Sequence, residues 1–217
     1  MNSNTFSIQD SLKFGWGAFK KDPWFYVGAT LSLGLFSLIV NWLTGQGHGL
    51  FSIVGFLIGL AATTVANIAY ARLALSAEAG NHVGWEGLWA PENFWRMLGA
   101  MILQVVIIVV GFILLVIPGI IACLMLTFTQ FLVVDKSLGP VEALKESYRL
   151  TKGHLFQLFL FALCLIALNI VGLVLLVVGL LVTVPVSLIA FAHVYRKVTN
   201  LQGVMVVPPV LPTPPVS

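Results

Sequence analysis

The chain has 217 residues, of which 59% are hydrophobic and only 9% are charged. Because soluble domains carry roughly 25% charged residues, this composition excludes an ordinary water-soluble fold. Eleven basic residues are accompanied by eight acidic ones, so the charge is mixed rather than polybasic and we expect no nucleic-acid partner.

The N-terminal residues contain no basic segment followed by a short apolar core, so we expect no removable signal peptide. Ser7 and Asp10 fit a capped helix start, and apolar residues follow at helical spacing: Ile8, Leu12, Trp16 and Phe19. We therefore predict an N-terminal interfacial amphipathic helix in residues 1–22. Asp22 and Pro23 then cap and start the first membrane crossing.

All 19 charged side chains fall into clusters separated by three uncharged runs, at residues 23–71, 97–134 and 153–195. The runs are 49, 38 and 43 residues long, and about 20 apolar residues suffice for one crossing. Each run therefore predicts two crossings joined by a turn. Turn-forming residues lie between the two halves of each run: 44–49, Pro118–Gly119 and Gly179.

We predict an all-α integral membrane protein with six transmembrane helices arranged as three hairpins, each preceded by a cytoplasmic interfacial segment. The crossings within the membrane domain 23–200 are expected at about 24–43, 50–71, 97–117, 119–134, 155–178 and 180–195. The later interfacial segments are 82–96 and 140–152. For residues 97–134, a re-entrant hairpin around Pro118 is the alternative to two full crossings.

Three hairpins return the chain to one side, so every Lys and Arg faces the same compartment. The positive-inside rule identifies that compartment as the cytoplasm. We expect both termini there, in a multi-pass protein. Residues 201–217 form a disordered, Pro-rich cytoplasmic tail in this interpretation, since five of the last twelve residues are prolines.

Small residues form a stripe along the second crossing, which predicts close helix packing against the same chain or a second subunit. The stripe comprises Gly55, Gly59, Ala62 and Ala66. Pro185 should kink the sixth crossing. Cys123 and Cys164 lie in apolar runs and are assigned to packing.

The polar residues within the crossings are neutral, including Asn67, Gln104, Gln130 and Asn169. Ion-coupled carriers generally place charges at this depth, so the pattern argues against that class. Hydrogen bonding between helices is favoured over a solute path, although a continuous cavity lined by these four residues would reverse that preference.

No catalytic motif was found: the cytoplasmic polar residues lack metal-ligand spacing, a nucleophile elbow or a phosphate-binding loop. We predict no catalytic residues, no metal and no cofactor, and hence a protein that is not an enzyme. On the helix beginning at Pro140, Val141, Leu144 and Tyr148 form the predicted apolar face. Lys145, Arg149 and Lys152 are the candidates for binding lipid headgroups, or else they only solvate the helix.

Several segments of the second half resemble the YciC-like family of uncharacterised bacterial membrane proteins. They are Ile117–Ile121, Val141–Ser147, Thr151–His154, Thr183–Pro185 and Tyr195–Arg196. That family is related to the membrane domain that precedes the catalytic domain of some glycerophosphodiester phosphodiesterases. The resemblance implies a six-helix protein of the bacterial inner membrane and supplies no catalytic residues.

The leading hypothesis is a non-enzymatic scaffold or accessory protein that binds membrane lipids or a membrane-protein partner, with a homo-oligomer also open. The alternative is a transporter or channel for a neutral or amphipathic solute.

Overall fold

The computed structural model describes residues 6–44, 50–80, 93–174 and 179–201. These residues form nine α-helices and no strand, which confirms the all-α prediction for this part of the chain. The helices are α1 Ile8–Lys21, α2 Pro23–Thr44, α3 Leu50–Glu78, α4 Phe94–Leu114, α5 Val116–Met125, α6 Thr129–Lys136, α7 Pro140–Thr151, α8 Leu155–Val174 and α9 Leu180–Leu201.

Six helical segments in the described residues are long and apolar enough to cross a membrane, which is the number predicted. They are Pro23–Val40, Leu57–Glu78, Phe94–Leu114, Val116–Lys136, Leu155–Val174 and Leu180–Leu201. The fourth segment contains both α5 and α6, with a break between them. Most of the predicted interfacial segment 82–96 lies outside the described residues, as does the tail beyond Leu201.

The N-terminal helix α1 is capped as predicted and packs along α9. The Ser7 hydroxyl accepts a hydrogen bond from the Asp10 N–H at 3.2 Å. A Cβ atom on Gly15 would lie 2.6 Å from the carbonyl oxygen of Val186, so only glycine permits this approach. The closest contact with α9 is therefore made by a glycine, and Trp16 stays 45% exposed.

The turn between α4 and α5 lies at Leu115, three residues before the predicted Pro118–Gly119 turn. Leu115 has an extended backbone, with φ −168° and ψ 156°. Pro118 occupies the first turn of α5, where its missing N–H breaks no helical hydrogen bond. Gly119 lets the two helices approach, because a Cβ there would lie 2.5 Å from the ring of Phe112.

The described core is concentrated where α1, α6, α7 and the C-terminal parts of α3 and α9 meet. Phe128, Leu132, Leu150 and Tyr195 are fully buried there. By contrast, large apolar side chains on α4, α5 and α8 are exposed, as expected for helices surrounded by lipid.

The predicted small-residue stripe runs along α3, which packs against α2 and α9. Gly55 and Ala66 are buried, whereas Gly59 and Ala62 are half-buried. Pro185 is buried inside α9, which continues through it. The close contact at Gly59 and the kink at Pro185 stay predictions.

Candidate functional site: a cavity beside a broken helix

The fourth crossing segment is interrupted between Met125, which ends α5, and Thr129, which begins α6. A helix break inside a membrane frees backbone groups that lipid cannot satisfy. Here the Ser147 hydroxyl, supplied by α7, donates to the Met125 carbonyl at 2.9 Å and accepts from the Phe128 N–H at 3.2 Å. One buried serine thus satisfies a group on each side of the break.

Other side chains complete the capping of this break. Gln104 reaches across from α4, and its Nε2 donates to the Leu126 carbonyl at 3.2 Å. The Thr151 hydroxyl of α7 lies 3.2 Å from the Met125 carbonyl. The Thr129 hydroxyl donates to the Leu126 carbonyl at 2.8 Å. Polar groups from both α4 and α7 therefore hold the interruption in place.

A cavity of about 380 Å³ lies beside the break, between α3, α6, α8 and α9. It is lined by Asn67, Tyr70, Ala71, Thr127, Gln130, Phe131, Leu165, Ile166, Asn169, Val184, Ser187, Leu188 and Phe191. All of these residues belong to segments able to span a membrane. Three of the four neutral polar residues singled out from the sequence thus meet at one cavity, and Gln104 caps the break instead.

The three amides in the cavity wall differ in how far the protein satisfies them. Asn67 donates from Nδ2 to the Thr63 carbonyl of its own helix at 2.9 Å. Asn169 donates to the Leu165 carbonyl at 2.8 Å and to the Ser187 hydroxyl at 3.0 Å, but its buried Oδ1 accepts no hydrogen bond from the described residues. Gln130 forms no amide hydrogen bond with the described residues.

The described lining contains no Asp, Glu, Lys, Arg or His. Apolar side chains supply most of its surface, and hydroxyl and amide groups supply the remainder. A concave, mainly apolar wall with a few placed polar groups is typical of sites for small organic molecules.

A buried ionic cluster joins the ends of α3, α6 and α9, which sequence reasoning did not predict. Arg196 Nε lies 3.0 Å from Glu78 Oε2, and Arg196 Nη2 lies 3.5 Å from Asp135 Oδ1. The Tyr195 hydroxyl donates to Asp135 Oδ2 at 2.9 Å. The available signal was topological, since these charges follow the second, fourth and sixth predicted crossings, which three hairpins would return to one end.

The N-terminal helix reaches the same cluster through His193. The Nδ1 atom of His193, on α9, lies 3.6 Å from Glu78 Oε1. The ring of Phe14 on α1 stacks on the His193 ring, with centroids 4.1 Å apart. Four helices therefore meet at these side chains.

The three lipid-headgroup candidates, Lys145, Arg149 and Lys152, are all exposed on or beside α7. Arg149 also pairs with Glu146 at 2.7 Å, and hydrogen bonding to that carboxylate holds the pKa of Arg149 above its ordinary value. Their binding to lipid stays a prediction.

The buried face of α7 differs from the predicted apolar face. Leu144 is buried, whereas Val141 and Tyr148 are 51% and 44% exposed. The buried face carries Ser147 and Thr151 instead, because their hydroxyl groups are required at the helix break. The apolar positions on a helical wheel do not indicate that Ser147 and Thr151 are buried, and contact of Val141 and Tyr148 with the membrane stays a prediction.

Comparison with known proteins identifies uncharacterised relatives. The family model described as "Protein of unknown function (DUF975)" matches residues 50–202. The chain is 25% identical over 247 aligned residues to Uncharacterized protein Rv2560 of Mycobacterium tuberculosis (strain ATCC 25618 / H37Rv), covering 100% of this chain and 75% of the relative. Uncharacterized protein Mb2590 of Mycobacterium bovis matches with the same identity and coverage. No solved structure matches. Because the family model covers more than half of the chain, the protein belongs to this family of unknown function, DUF975.

Proposed function

We propose that this protein is a non-enzymatic accessory protein of the bacterial cytoplasmic membrane that binds a lipid or another amphipathic molecule in the cavity. The observation that carries the proposal is the Gln130 amide, which faces an intramembrane cavity without a hydrogen bond from the described residues. An unsatisfied polar group in a dry site costs about 1–3 kcal/mol. A bound molecule with a polar group would offset that cost.

The proposed topology has three hairpins, with both termini and all charged segments in the cytoplasm. The ionic cluster supports it, because Glu78, Asp135 and Arg196 follow three different crossings and meet at one end of the bundle. A bundle in which one crossing was missing would separate one of these charges from the others by the thickness of the bilayer. The YciC-like resemblance is part of the same proposal.

A second candidate is a carrier for a neutral or amphipathic solute. The broken helix favours it, because discontinuous transmembrane helices commonly form substrate sites near the middle of the bilayer in transporters. Thr127 lies within the break and also lines the cavity. A carrier must expose this cavity alternately to both sides, whereas an accessory protein need not.

The test is purification of the full chain in native-membrane nanodiscs, followed by mass spectrometry of the co-purifying small molecules. Gln130→Leu removes the unpaired amide at similar volume and should deplete the molecule held by the wild type. Thr127→Val and Thr63→Val form a matched pair, since Thr63 is exposed and bonds within its own helix at 2.8 Å. Only the first of the two should reduce retention.

An identical set of retained molecules in the wild type, Gln130→Leu and Thr127→Val would contradict the proposal. Reconstituted liposomes separate its two forms. Flux of the identified molecule that Gln130→Leu abolishes would favour the carrier, and retention without flux would favour the accessory protein.

A further inference from the structure

We infer that the cavity recognises the uncharged hydroxyl end of an amphipathic molecule, such as a long-chain alcohol or a monoacylglycerol. This inference rests on the proposed function and names the ligand class for the same site. Three properties of the wall lead to it: the absence of charge, the pattern of unused donors and acceptors, and the apolar remainder.

The first property excludes charged ligand groups. No side chain that is charged at neutral pH is present among the described lining residues, and the Arg196 guanidinium is already paired with Glu78 and Asp135. A carboxylate, phosphate or ammonium group placed in this wall would lose its hydration without gaining a counter-charge. Such a group would therefore stay at the membrane surface.

The second property is the need for a ligand that both donates and accepts. The Leu165 carbonyl can only accept, so it fixes the Asn169 amide with Nδ2 toward it and leaves the buried Oδ1 without a donor among the described residues. Ser187 accepts from that Nδ2, so its own proton is available for an acceptor. A hydroxyl group can donate to an amide oxygen and accept from Ser187, whereas an ether or an ester can only accept.

The third property concerns the body of the ligand. Leu165, Val184 and Leu188 line the cavity beside Asn169 and Ser187, so an alkyl chain can follow the hydroxyl. A volume of about 380 Å³ lies in the range of about 300–1,000 Å³ that is typical of small-molecule sites. The cavity can therefore hold the polar end of an amphiphile, whose alkyl chain continues into the surrounding lipid.

Photo-crosslinking to the full-length protein in nanodiscs tests the ligand class. Three probes share one diazirine-bearing C16 chain and differ only at the end, as the primary alcohol, the carboxylic acid or the methyl ether. We expect the alcohol to label residues of α8 and α9 at the cavity, with the acid and the ether about tenfold weaker, as for loss of one to two hydrogen bonds. Unlabelled hexanol, added from water, tests whether a water-soluble alcohol competes.

Variants at the recognising serine provide the second readout. Ser187→Ala should reduce labelling by the alcohol to the level of the ether, and Ser187→Thr should restore it because the hydroxyl group is kept. Ser32→Ala is the control, since the Ser32 hydroxyl donates within its own helix α2, to the Ala29 carbonyl at 2.9 Å. Melting temperatures measured in parallel identify any variant that fails to fold.

The outcomes distinguish an error in the ligand class from an error in the proposed binding at the cavity. If the acid labels the cavity as well as the alcohol does, the inference is overturned while binding in the cavity stands. Equal labelling of the wild type and a folded Ser187→Ala overturns it as well. If no probe labels the cavity, both the inference and the proposed function fail. Competition by hexanol would identify a soluble alcohol as an accepted source of the hydroxyl group, and its absence would identify the membrane lipid.

Discussion

At the scale of single residues, Arg196 is the side chain on which the described ionic cluster depends. It lies between two carboxylates, and the side chain of Asp135 is only 1% exposed. We expect Arg196→Met to lower the free energy of unfolding by about 3–5 kcal/mol, because it leaves buried carboxylates without a counter-charge. The loss should appear as a lower melting temperature in detergent.

The control for this prediction is Lys197→Met, which removes the same charge one position later. Lys197 is only half-buried, and the ion pairs that Glu78 and Asp135 form with Arg196 do not involve it. Equal melting temperatures for Arg196→Met and Lys197→Met would show that the cluster contributes little to stability.

Gly15 provides a second prediction at this scale. A Cβ there would approach the Val186 carbonyl oxygen to 2.6 Å, whereas a Cβ on Gly17 would meet nothing within 4 Å. Gly15→Ala should therefore force α1 away from α9 and destabilise the protein by about 1–3 kcal/mol. Gly17→Ala should be neutral or slightly stabilising, because alanine favours the helix. Melting curves of the two variants test this prediction. Equal melting temperatures would mean that α1 does not pack closely against α9 at Gly15.

At the scale of elements, the interruption between α5 and α6 is held by α7. Ser147→Ala removes the only side chain that bonds to both Met125 and Phe128 among the described residues. We expect a loss of about 1–3 kcal/mol, with increased hydrogen exchange at residues 125–129. Ser32→Ala removes a hydroxyl from an uninterrupted helix and should leave both readouts unchanged. Unchanged exchange at the break in Ser147→Ala would contradict this role for α7.

The sequence predicts those elements whose signals are local. The Ser7 cap and the helix beginning at Pro140 are both present in the structure. The break at 126–128 has no local signal, because Leu126, Thr127 and Phe128 include neither glycine nor proline. It depends on hydroxyl and amide groups from α4 and α7, which lie far away in the chain, so only the tertiary structure reveals it.

The candidate site was predictable in part for the same reason. Composition and depth in the crossings singled out Asn67, Gln130 and Asn169, which line the cavity. Gln104 has the same local character, yet it caps the broken helix. Its partner is the Leu126 backbone carbonyl, which is free because of a helix break that has no signal in the local sequence. The ionic cluster also escaped prediction, because Glu78, Asp135 and Arg196 lie far apart in the chain and only the tertiary structure brings them together.

At the scale of the whole molecule, the prediction that matters most to the functional argument is the membrane topology. Leu115, at the α4–α5 turn, is 68% exposed, whereas Gly119 is packed against Phe112 and is unsuitable for labelling. In a background with Cys123 and Cys164 replaced by alanine, Leu115→Cys should react with an impermeant thiol reagent added outside intact cells. Lys152→Cys, exposed beside α7, should react only after permeabilisation, because the positive-inside rule places it in the cytoplasm. The reverse pattern would invert the topology. Labelling of both sites only after permeabilisation would instead favour a re-entrant α4–α5 hairpin, in which case the cavity would lie beside a loop that enters and leaves the membrane from the cytoplasm.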